Sequence, residues 1–326
     1  MDKNAVYVLG TGFSKAIHND MPLLKDLSED IYAKYKREID DPHLIAYKDN
    51  VEELLSYLYS EHPWKKELNK HNDFVLYLKI AECISNIIKD NQELLLDPRT
   101  VCRDNKNIEK LITTFCKNKT NIITFNYDTI IENLLNRNST EPCDVASLCQ
   151  IPVRSIQDRV HPSNNSISKL NKNDVHLMKM HGSIHWYYSG DLEINIDNVY
   201  YDSTPEDKSP AYQNLKADLN PFIIPPIMDK SEFYKNHVLK TTWYNAYTNL
   251  KGASSVVIIG YSIPLSDYSS QMLLRSAIQK TADIIIVNED DTDGFKTRMK
   301  KTFEGKHVNE NYICKNALNE FINKEI

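Results

Sequence analysis

The 326-residue sequence predicts an α/β fold built on a doubly wound, mostly parallel sheet with a helical insertion. Three features predict it. Short apolar runs alternate with stretches of helical periodicity, a pattern typical of a parallel sheet covered by helices on both faces. The first run, residues 5–9, opens onto a turn that contains Gly10 and Gly12. A long helical stretch, from residue 22 to about 118, separates this run from the next one.

The first element is predicted to be a buried strand that ends in a glycine turn. Such a turn leaves amide N–H groups unpaired at the start of the next helix, so it suits a phosphate. Glycine is scarce, with 8 residues in 326, and Gly10, Gly12, Gly182 and Gly260 all lie at the ends of apolar runs. The turn lacks the full G-x-G-x-x-G fingerprint, so a purely structural turn remains an equally good interpretation of this segment alone.

The remaining elements follow from apolar periodicity. Strands are predicted at 121–126, 175–180, 255–260 and 283–288, and helices at 127–136, 232–250, 266–280 and 294–305. The polar stretch 137–174 is predicted to be an irregular connection, and 186–225 a loop or lid region. We expect a single domain over 1–326, with its ligand at the carboxyl ends of the strands.

Composition narrows the class of protein. The net charge of −6 argues against a general nucleic-acid binder, which would neutralise phosphates with Lys and Arg. No apolar run approaches the ~20 residues of a membrane span, and the first residues lack the features of a signal peptide. The 6 cysteines include no C-x-x-C pair, which predicts reduced, structural thiols and no zinc site. A cytoplasmic protein is expected.

Polar residues follow several of the predicted strands. Asn126 and Asp128 follow the second strand, His181 follows the third, Asp267 lies beyond the fourth, and Asn288 ends the fifth. Each has an ordinary structural explanation when taken alone: a turn, a helix cap or a hydrogen-bonded core histidine. Because these strand ends meet at one edge of a parallel sheet, their joint occurrence indicates a binding site.

In this order, the segments resemble the sirtuin family, whose fold is Rossmann-like, and more closely its bacterial sirtuin-like branch than the protein deacylases. The resemblance implies that Asn126, Asp128 and His181 are catalytic, with Asn126 and Asp128 at the nicotinamide end of NAD+ and His181 as the base. It also implies that the rest of NAD+ contacts Gly10, Thr11, Gly12, Phe13, Ser14, Gly260, Tyr261, Ser262, Asp267 and Asn288.

Departures from the deacylases favour a different reaction. The paired cysteines that hold a structural zinc in deacylases have no match in 137–174, and neither has the arginine that follows their glycine turn. The resemblance therefore implies an NAD+ glycohydrolase that releases ADP-ribose and nicotinamide. Two alternatives remain open: an NAD-dependent protein deacylase, and a non-catalytic sensor of NAD or ADP-ribose. A metal pair of His181 and His185 is less favoured than the base, because no H-E-x-x-H pattern is present.

The family branch implies a role in bacterial antiphage defence through NAD+ depletion. An unrestrained NAD+ hydrolase would harm its own cell, so its activity needs control. The segments that carry the resemblance extend to Asn288, and too few residues follow for a separate sensor domain. We therefore expect a homo-oligomer, and a separate partner chain such as a helicase-type ATPase. Membrane association is not expected.

Overall fold

The computed structural model describes residues 4–96, 106–138, 145–151, 153–159, 175–188, 199–202 and 209–326. Its strands, numbered along the chain, are β1 (Ala5–Leu9), β2 (Asn121–Thr124), β3 (Arg154–Ser155), β4 (His176–Lys179), β5 (Gly182–Tyr188), β6 (Val199–Tyr201), β7 (Asn220–Ile223), β8 (Ser255–Ile259), β9 (Asp283–Asn288) and β10 (His307–Ile313).

The main sheet has six strands in the order β10-β9-β8-β1-β2-β4. All neighbouring pairs in it are parallel. The chain builds outward from β1 through β2 to β4 on one side, then returns and builds through β8 and β9 to β10 on the other. This reversal defines a doubly wound sheet, and it brings the carboxyl ends of β1, β2, β4 and β8 together at one edge. The predicted fold class is confirmed.

Helices cover both faces of the main sheet. They are α1 (Thr11–Ile17), α2 (Leu24–Lys34), α3 (Lys36–Ile39), α4 (Val51–Tyr59), α5 (Glu67–Leu96), α6 (Lys106–Asn118), α7 (Ile130–Asn138), α8 (Val145–Cys149), α9 (Pro210–Asn214), α10 (His237–Gly252), α11 (Tyr268–Ala277), α12 (Asp293–Thr302) and α13 (Ala317–Glu325). The stretch predicted as a helical insertion holds α2 to α6. None of the helices in the described part of the chain combines the length and apolar character that a membrane span needs.

The alternation of side chains along β1 divides the core in two. Tyr7 and Leu9 belong to one apolar cluster, whereas Val6 and Val8 belong to a second cluster on the other face of the sheet. Every residue of β1 is buried, so the strand reads as a continuous apolar run rather than an alternating one. This is why the strand could be recognised from the sequence.

A second sheet, in the order β3-β6-β5-β7, was not predicted. The prediction of a loop or lid over 186–225 is wrong where β5, β6, β7 and α9 form. These strands were missed because none is a continuous apolar run: β5 includes Ser183 and His185, β6 has only three residues, and β7 begins with Asn220 and Pro221. Trp186 and Phe222 of this sheet pack in the same cluster as Tyr7 of the main sheet. The single-domain organisation stays a prediction.

Two further differences concern the connections and the last elements. The prediction of an irregular connection over 137–174 is wrong for α8 and β3, while 139–144, 152 and 160–174 lie outside the described residues. The final strand and helix, β10 and α13, were also missed. Strand β10 forms one edge of the sheet, and its polar sequence lacks the apolar run of a central strand.

Candidate active site

The glycine turn after β1 packs directly against the chain that leaves β8. The amide of Gly12 donates to the carbonyl oxygen of Gly260 at 2.9 Å, and the amide of Gly10 donates to Ile259 at 3.0 Å. A Cβ atom on Gly260, whose φ is +59°, would lie 2.2 Å from the nitrogen of Phe13. These glycines are therefore needed for close backbone contact between two loops.

The glycine turn, where we expect a phosphate, already uses three of its amide groups within the protein. The amides of Gly10 and Gly12 bond to the β8 segment, and the amide of Phe13 donates to the carbonyl oxygen of Gly10 at 2.9 Å. These three N–H groups are therefore engaged within the protein. The side chain of Phe13 is buried in the larger apolar cluster.

A cavity of about 160 Å³ lies at the carboxyl ends of the central strands, and we call it the histidine cavity. Eight of the residues predicted for the site border it: Thr11, Ser14, Asn126, Asp128, His181, Tyr261, Ser262 and Asp267. Glu52 and Lys230 also border it, and the sequence analysis did not identify them. The main sheet thus brings most of the predicted polar residues together.

Asn126 is held rigidly at one wall of this cavity. Its amide Nδ2 donates to the carbonyl oxygen of Gly10 at 3.0 Å and to the hydroxyl of Ser14 at 2.9 Å. Because the Gly10 carbonyl can only accept, these contacts fix the orientation of the side-chain amide. Its Oδ1 is buried, and no described residue gives it a hydrogen-bond partner. A buried, unpaired carbonyl at a cavity is a ready acceptor for a ligand.

Asp128 lies beside Asn126 and shares its partner. Its Oδ2 accepts from the Ser14 hydroxyl at 2.7 Å, and its Oδ1 accepts from the amide of Ile130 at 3.1 Å. Burial raises the pKa of Asp128, although the nearby ammonium of Lys179 opposes this shift. Lys179 is itself buried and pairs with Glu132 at 2.8 Å. The carboxylate therefore has a defined orientation at the base of the cavity.

His181 lies at the opposite wall of the cavity, among aromatic side chains. Its ring centroid is 5.2 Å from that of Phe125 and 6.4 Å from that of Trp243. Burial lowers the pKa of His181 to about 4, and the charge of Lys230 acts in the same direction. The imidazole is therefore neutral at pH 7, the form that accepts a proton.

Asp267 lies next to this imidazole, with its Oδ2 3.4 Å from His181 Nε2. The same oxygen accepts from the hydroxyl of Tyr261 at 2.9 Å, and Oδ1 is 3.5 Å from Lys230 Nζ. Burial pushes the pKa of Asp267 upward, but the neighbouring His181 and Lys230 outweigh burial and the net pKa is lowered. A carboxylate near Nε2 favours the tautomer with its proton there, which leaves Nδ1 as the proton acceptor.

A second cavity, of about 440 Å³, lies beyond the glycine turn, and we call it the asparagine cavity. Its wall includes Gly12, Gly260 and Asn288 of the predicted site, together with Asn316 and Asn319 near the carboxyl end of β10. Helix α1 separates the two cavities: Thr11 and Ser14 border the histidine cavity, whereas Gly12 and Ala16 border the asparagine cavity.

Some predicted features lie outside both cavities. Gly10 and Phe13 border neither cavity. His185 lies on β5 of the second sheet, away from His181 across the turn that contains Gly182. Within the described ranges, no cluster of three or more His, Cys, Asp or Glu side chains could hold a metal ion.

A family model described as a SIR2-like domain matches residues 120–310. Among solved structures, the chain is similar to a Sir2 homolog–NAD complex, with 12% identity, a TM-score of 0.46, and 98% of this chain and 88% of that chain covered. It is also similar to Sir2 in complex with the inhibitor EX-527, 2'-O-acetyl-ADP-ribose and a deacetylated p53 peptide, with 12% identity, a TM-score of 0.42, and coverage of 98% and 91%.

At these TM-scores the overlap of the chain with either structure is loose. No curated protein sequence matches this one. The match to the SIR2-like family model is therefore the comparison that shows the family of this chain.

Proposed function

Because the chain belongs to the SIR2-like domain family, we propose that it is an NAD+ glycohydrolase, which uses water to cleave NAD+ into nicotinamide and ADP-ribose. One observation carries the proposal: the buried, unpaired Oδ1 of Asn126 lies at a cavity that His181 also borders. The site thus combines a free acceptor and a neutral base at one small cavity.

The histidine cavity suits the nicotinamide ring in size and chemistry. A cavity of about 150 Å³ admits a benzene ring, and this one measures about 160 Å³. Asn126 Oδ1 can accept a hydrogen bond from the carboxamide or hold the attacking water, and Asp128 lies beside it. We assign the adenosine half of NAD+ to the asparagine cavity, because the two cavities adjoin the same helix.

The proposed reaction balances with one water molecule. The bond between nicotinamide and ribose breaks, and its electron pair neutralises the pyridinium nitrogen of the leaving nicotinamide. The ribose becomes oxocarbenium-like, and water adds to its C1' atom. His181 takes the proton from that water, and Asp267 stabilises the resulting imidazolium. Each turnover therefore yields nicotinamide, ADP-ribose and one proton.

The biological proposal is that this activity depletes NAD+ in bacterial antiphage defence, in the cytoplasm, under the control of an assembly. Apolar side chains on and beside α5 support self-association: Leu68 is 72% exposed, Leu78 46% and Trp64 72%. A homo-oligomer would cover them, with a separate chain such as a helicase-type ATPase as a further partner. Light scattering at micromolar concentration tests this. A monomer that is fully active on NAD+ without a partner would contradict it.

The activity is tested by incubating the purified protein with NAD+, with and without an acetylated peptide. We expect equal release of nicotinamide in both samples, ADP-ribose as the other product, and an unchanged peptide. Release only with the peptide would identify a deacylase instead. NAD+ binding without any release, in every oligomeric state, would identify a sensor.

We also propose that the reaction needs no metal ion, because Asn126 and His181 supply the orientation and proton transfer it requires. Dialysis against a chelator should leave both NAD+ cleavage and thermal unfolding unchanged. Loss of activity that added zinc or magnesium restores would contradict this proposal.

A further inference from the structure

The helical insertion reaches the histidine cavity through α4. Glu52, in the first turn of α4, is only 7% exposed, and its Oε2 accepts from the hydroxyl of Ser266 at 2.6 Å. One turn later, the hydroxyl of Ser56 accepts from the amide of Met228 at 2.9 Å. It also donates to the carbonyl oxygen of Glu52 at 2.6 Å. Helix α4 thus holds two separate loops of the catalytic region.

These two loops carry the partners of the catalytic base. Ser266 directly precedes Asp267, and Met228 lies two residues before Lys230. Asp267 contacts His181 through Oδ2 at 3.4 Å and Lys230 through Oδ1 at 3.5 Å. Lys230 is 4% exposed and also donates to the carbonyl oxygen of Ile227 at 2.7 Å. The carboxylate is therefore held between the imidazole and a buried ammonium group.

We propose that Lys230 and Glu52 are positioning residues for His181: Lys230 fixes the Asp267 carboxylate beside the imidazole, and Glu52 fixes the loop of Asp267 to α4. This inference rests on the proposed function for its catalytic meaning but not for its geometry. Neither residue needs to touch NAD+ for this role.

The charges around the cavity explain why Asp267 needs Lys230 beside it. Asp267 alone beside His181 would draw a proton onto the ring and hold it there, which would remove the base at neutral pH. The ammonium of Lys230 contacts the other carboxylate oxygen. Its positive charge also disfavours a second positive charge on the nearby imidazole. The ionisable groups that face His181 or Asp267 from the surrounding elements are Glu52, Tyr127, Lys230, Tyr234 and Tyr261.

Helix α4 connects the rest of the insertion to the loops of Asp267 and Lys230. Helix α4 packs against α2 and α5 of the insertion, so a shift of these helices would move Glu52 and Ser56 together. The loops that carry Asp267 and Lys230 would then lose their supports, and the imidazole would lose its oriented carboxylate.

The test of Lys230 is an NMR titration of the histidine side chains, with the His181 signal assigned by its loss in His181→Gln. In Lys230→Met we expect the pKa of His181 to rise by about one unit or more, because a nearby positive charge is removed. Lys230→Arg should restore the wild-type titration. Lys65→Met is the matched control, because Lys65 is also buried and pairs with Asp73 at 2.8 Å, but borders a different cavity.

The test of Glu52 separates its hydrogen bond from its charge. Glu52→Leu removes the acceptor for Ser266, and we expect kcat for NAD+ to fall about tenfold to a hundredfold, as for a displaced catalytic group, with a smaller change in KM. Glu52→Gln keeps an acceptor oxygen and should recover most of the activity. If Glu52→Leu fails to fold, Ser266→Ala removes the same hydrogen bond from the loop side and should lower kcat in the same direction.

The outcomes distinguish this inference from the proposed function. A folded Lys230→Met protein with an unchanged His181 titration overturns the role of Lys230, whether or not the protein cleaves NAD+. Wild-type kcat in folded Glu52→Leu or Ser266→Ala overturns the role of Glu52. If the wild type never cleaves NAD+, the proposed function fails, while the titration still decides whether Lys230 controls the imidazole.

Discussion

The histidine cavity and the asparagine cavity adjoin the same short helix, α1, but differ in what surrounds them. The histidine cavity is bordered by buried groups of opposite charge, among them Asp128, Asp267 and Lys230. The asparagine cavity is bordered largely by neutral side chains such as Asn288 and Asn319, together with Lys15, Glu289 and Asp290. Buried charges shift proton affinities and stabilise developing charge, whereas neutral amides form hydrogen bonds without changing charge.

This difference indicates a division of roles within one site. In the proposed reaction, the histidine cavity would supply the groups for bond cleavage, and the asparagine cavity the groups that hold the rest of the substrate. Variants of the first should therefore lower kcat, and variants of the second should raise KM. The predictions below test that division, beginning with the largest effect.

Loss of the groups at the histidine cavity should have the largest effect. Removing a general base or its oriented partner typically costs on the order of a hundredfold to ten-thousandfold in rate, so we expect such a loss of kcat in His181→Gln and in Asn126→Ala. His185→Gln is the matched control, because burial also lowers the pKa of His185 to about 4 but the residue lies on the second sheet. Near-normal turnover in folded His181→Gln would remove this histidine from the mechanism.

The close contact between the glycine turn and the segment after β8 should be the next most sensitive position. Gly260→Ala would place a Cβ 2.2 Å from the nitrogen of Phe13, at a φ of +59°. Strain and overpacking together should lower the free energy of unfolding by about 2–5 kcal/mol, measured by urea denaturation. Gly294→Ala is the control, because its Cβ would meet nothing closer than Arg298 at 3.9 Å. If both variants were equally stable, the glycine contact would not be required.

Acid should destabilise the protein, in part through the imidazole at the histidine cavity. Burial lowers the pKa of His176, His181 and His185 to about 4 each, against about 6.5 in the unfolded chain. Between these values the unfolded state binds more protons, so stability falls as the pH decreases from about 6.5 to 4 and is unaffected by these groups above that range.

Each unit of difference in pKa is worth about 1.4 kcal/mol. Unfolding free energies measured across this range should therefore show a smaller decrease in His181→Gln than in the wild type. The decrease in Asn288→Ala should match the wild type. A decrease of equal size in all three proteins would show that His181 titrates normally.

The smallest effect is expected at the asparagine cavity. Asn288→Ala removes one neutral hydrogen-bonding group, worth about 0.5–1.5 kcal/mol, so KM for NAD+ should rise up to about tenfold with kcat unchanged. Asn309→Ala is the control, because Asn309 Oδ1 accepts from Asn311 at 3.0 Å just as Asn288 Oδ1 accepts from Asp290 at 3.0 Å. Asn309 does not border the cavity. A fall in kcat for Asn288→Ala would contradict the division of roles.

The sequence predicted the parts of the molecule in which local pattern and tertiary role coincide. Strands β1, β8 and β9 are continuous apolar runs because both of their faces are covered, and the polar residues that follow them meet at one edge. Asn126 and His181 could be found because the topology of a parallel sheet brings distant strand ends together. The contact of the glycines with each other was not predictable from the sequence, because it joins the turn after β1 to the distant segment after β8.

Glu52 and Lys230 could not be predicted, because neither belongs to the strand ends. Glu52 looks like an ordinary acidic residue in the first turn of a helix, where the helix dipole stabilises a negative charge. Lys230 lies in a segment without periodicity. Their roles arise from how α4 packs beside the loop after β8, which is a long-range contact with no local signal. Short polar strands such as β10 were missed for a similar reason, since only the neighbouring strand makes them part of a sheet.

The most direct test of the two-cavity proposal is a crystal structure of His181→Gln, in which NAD+ cleavage should be slowed on the order of a hundredfold to ten-thousandfold, with NAD+ soaked in briefly. We expect the nicotinamide ring to lie in the histidine cavity, within hydrogen-bonding distance of Asn126 Oδ1. The adenosine should lie in the asparagine cavity near Asn288. NAD+ with its nicotinamide in solvent, or bound away from both cavities, would contradict the central claim.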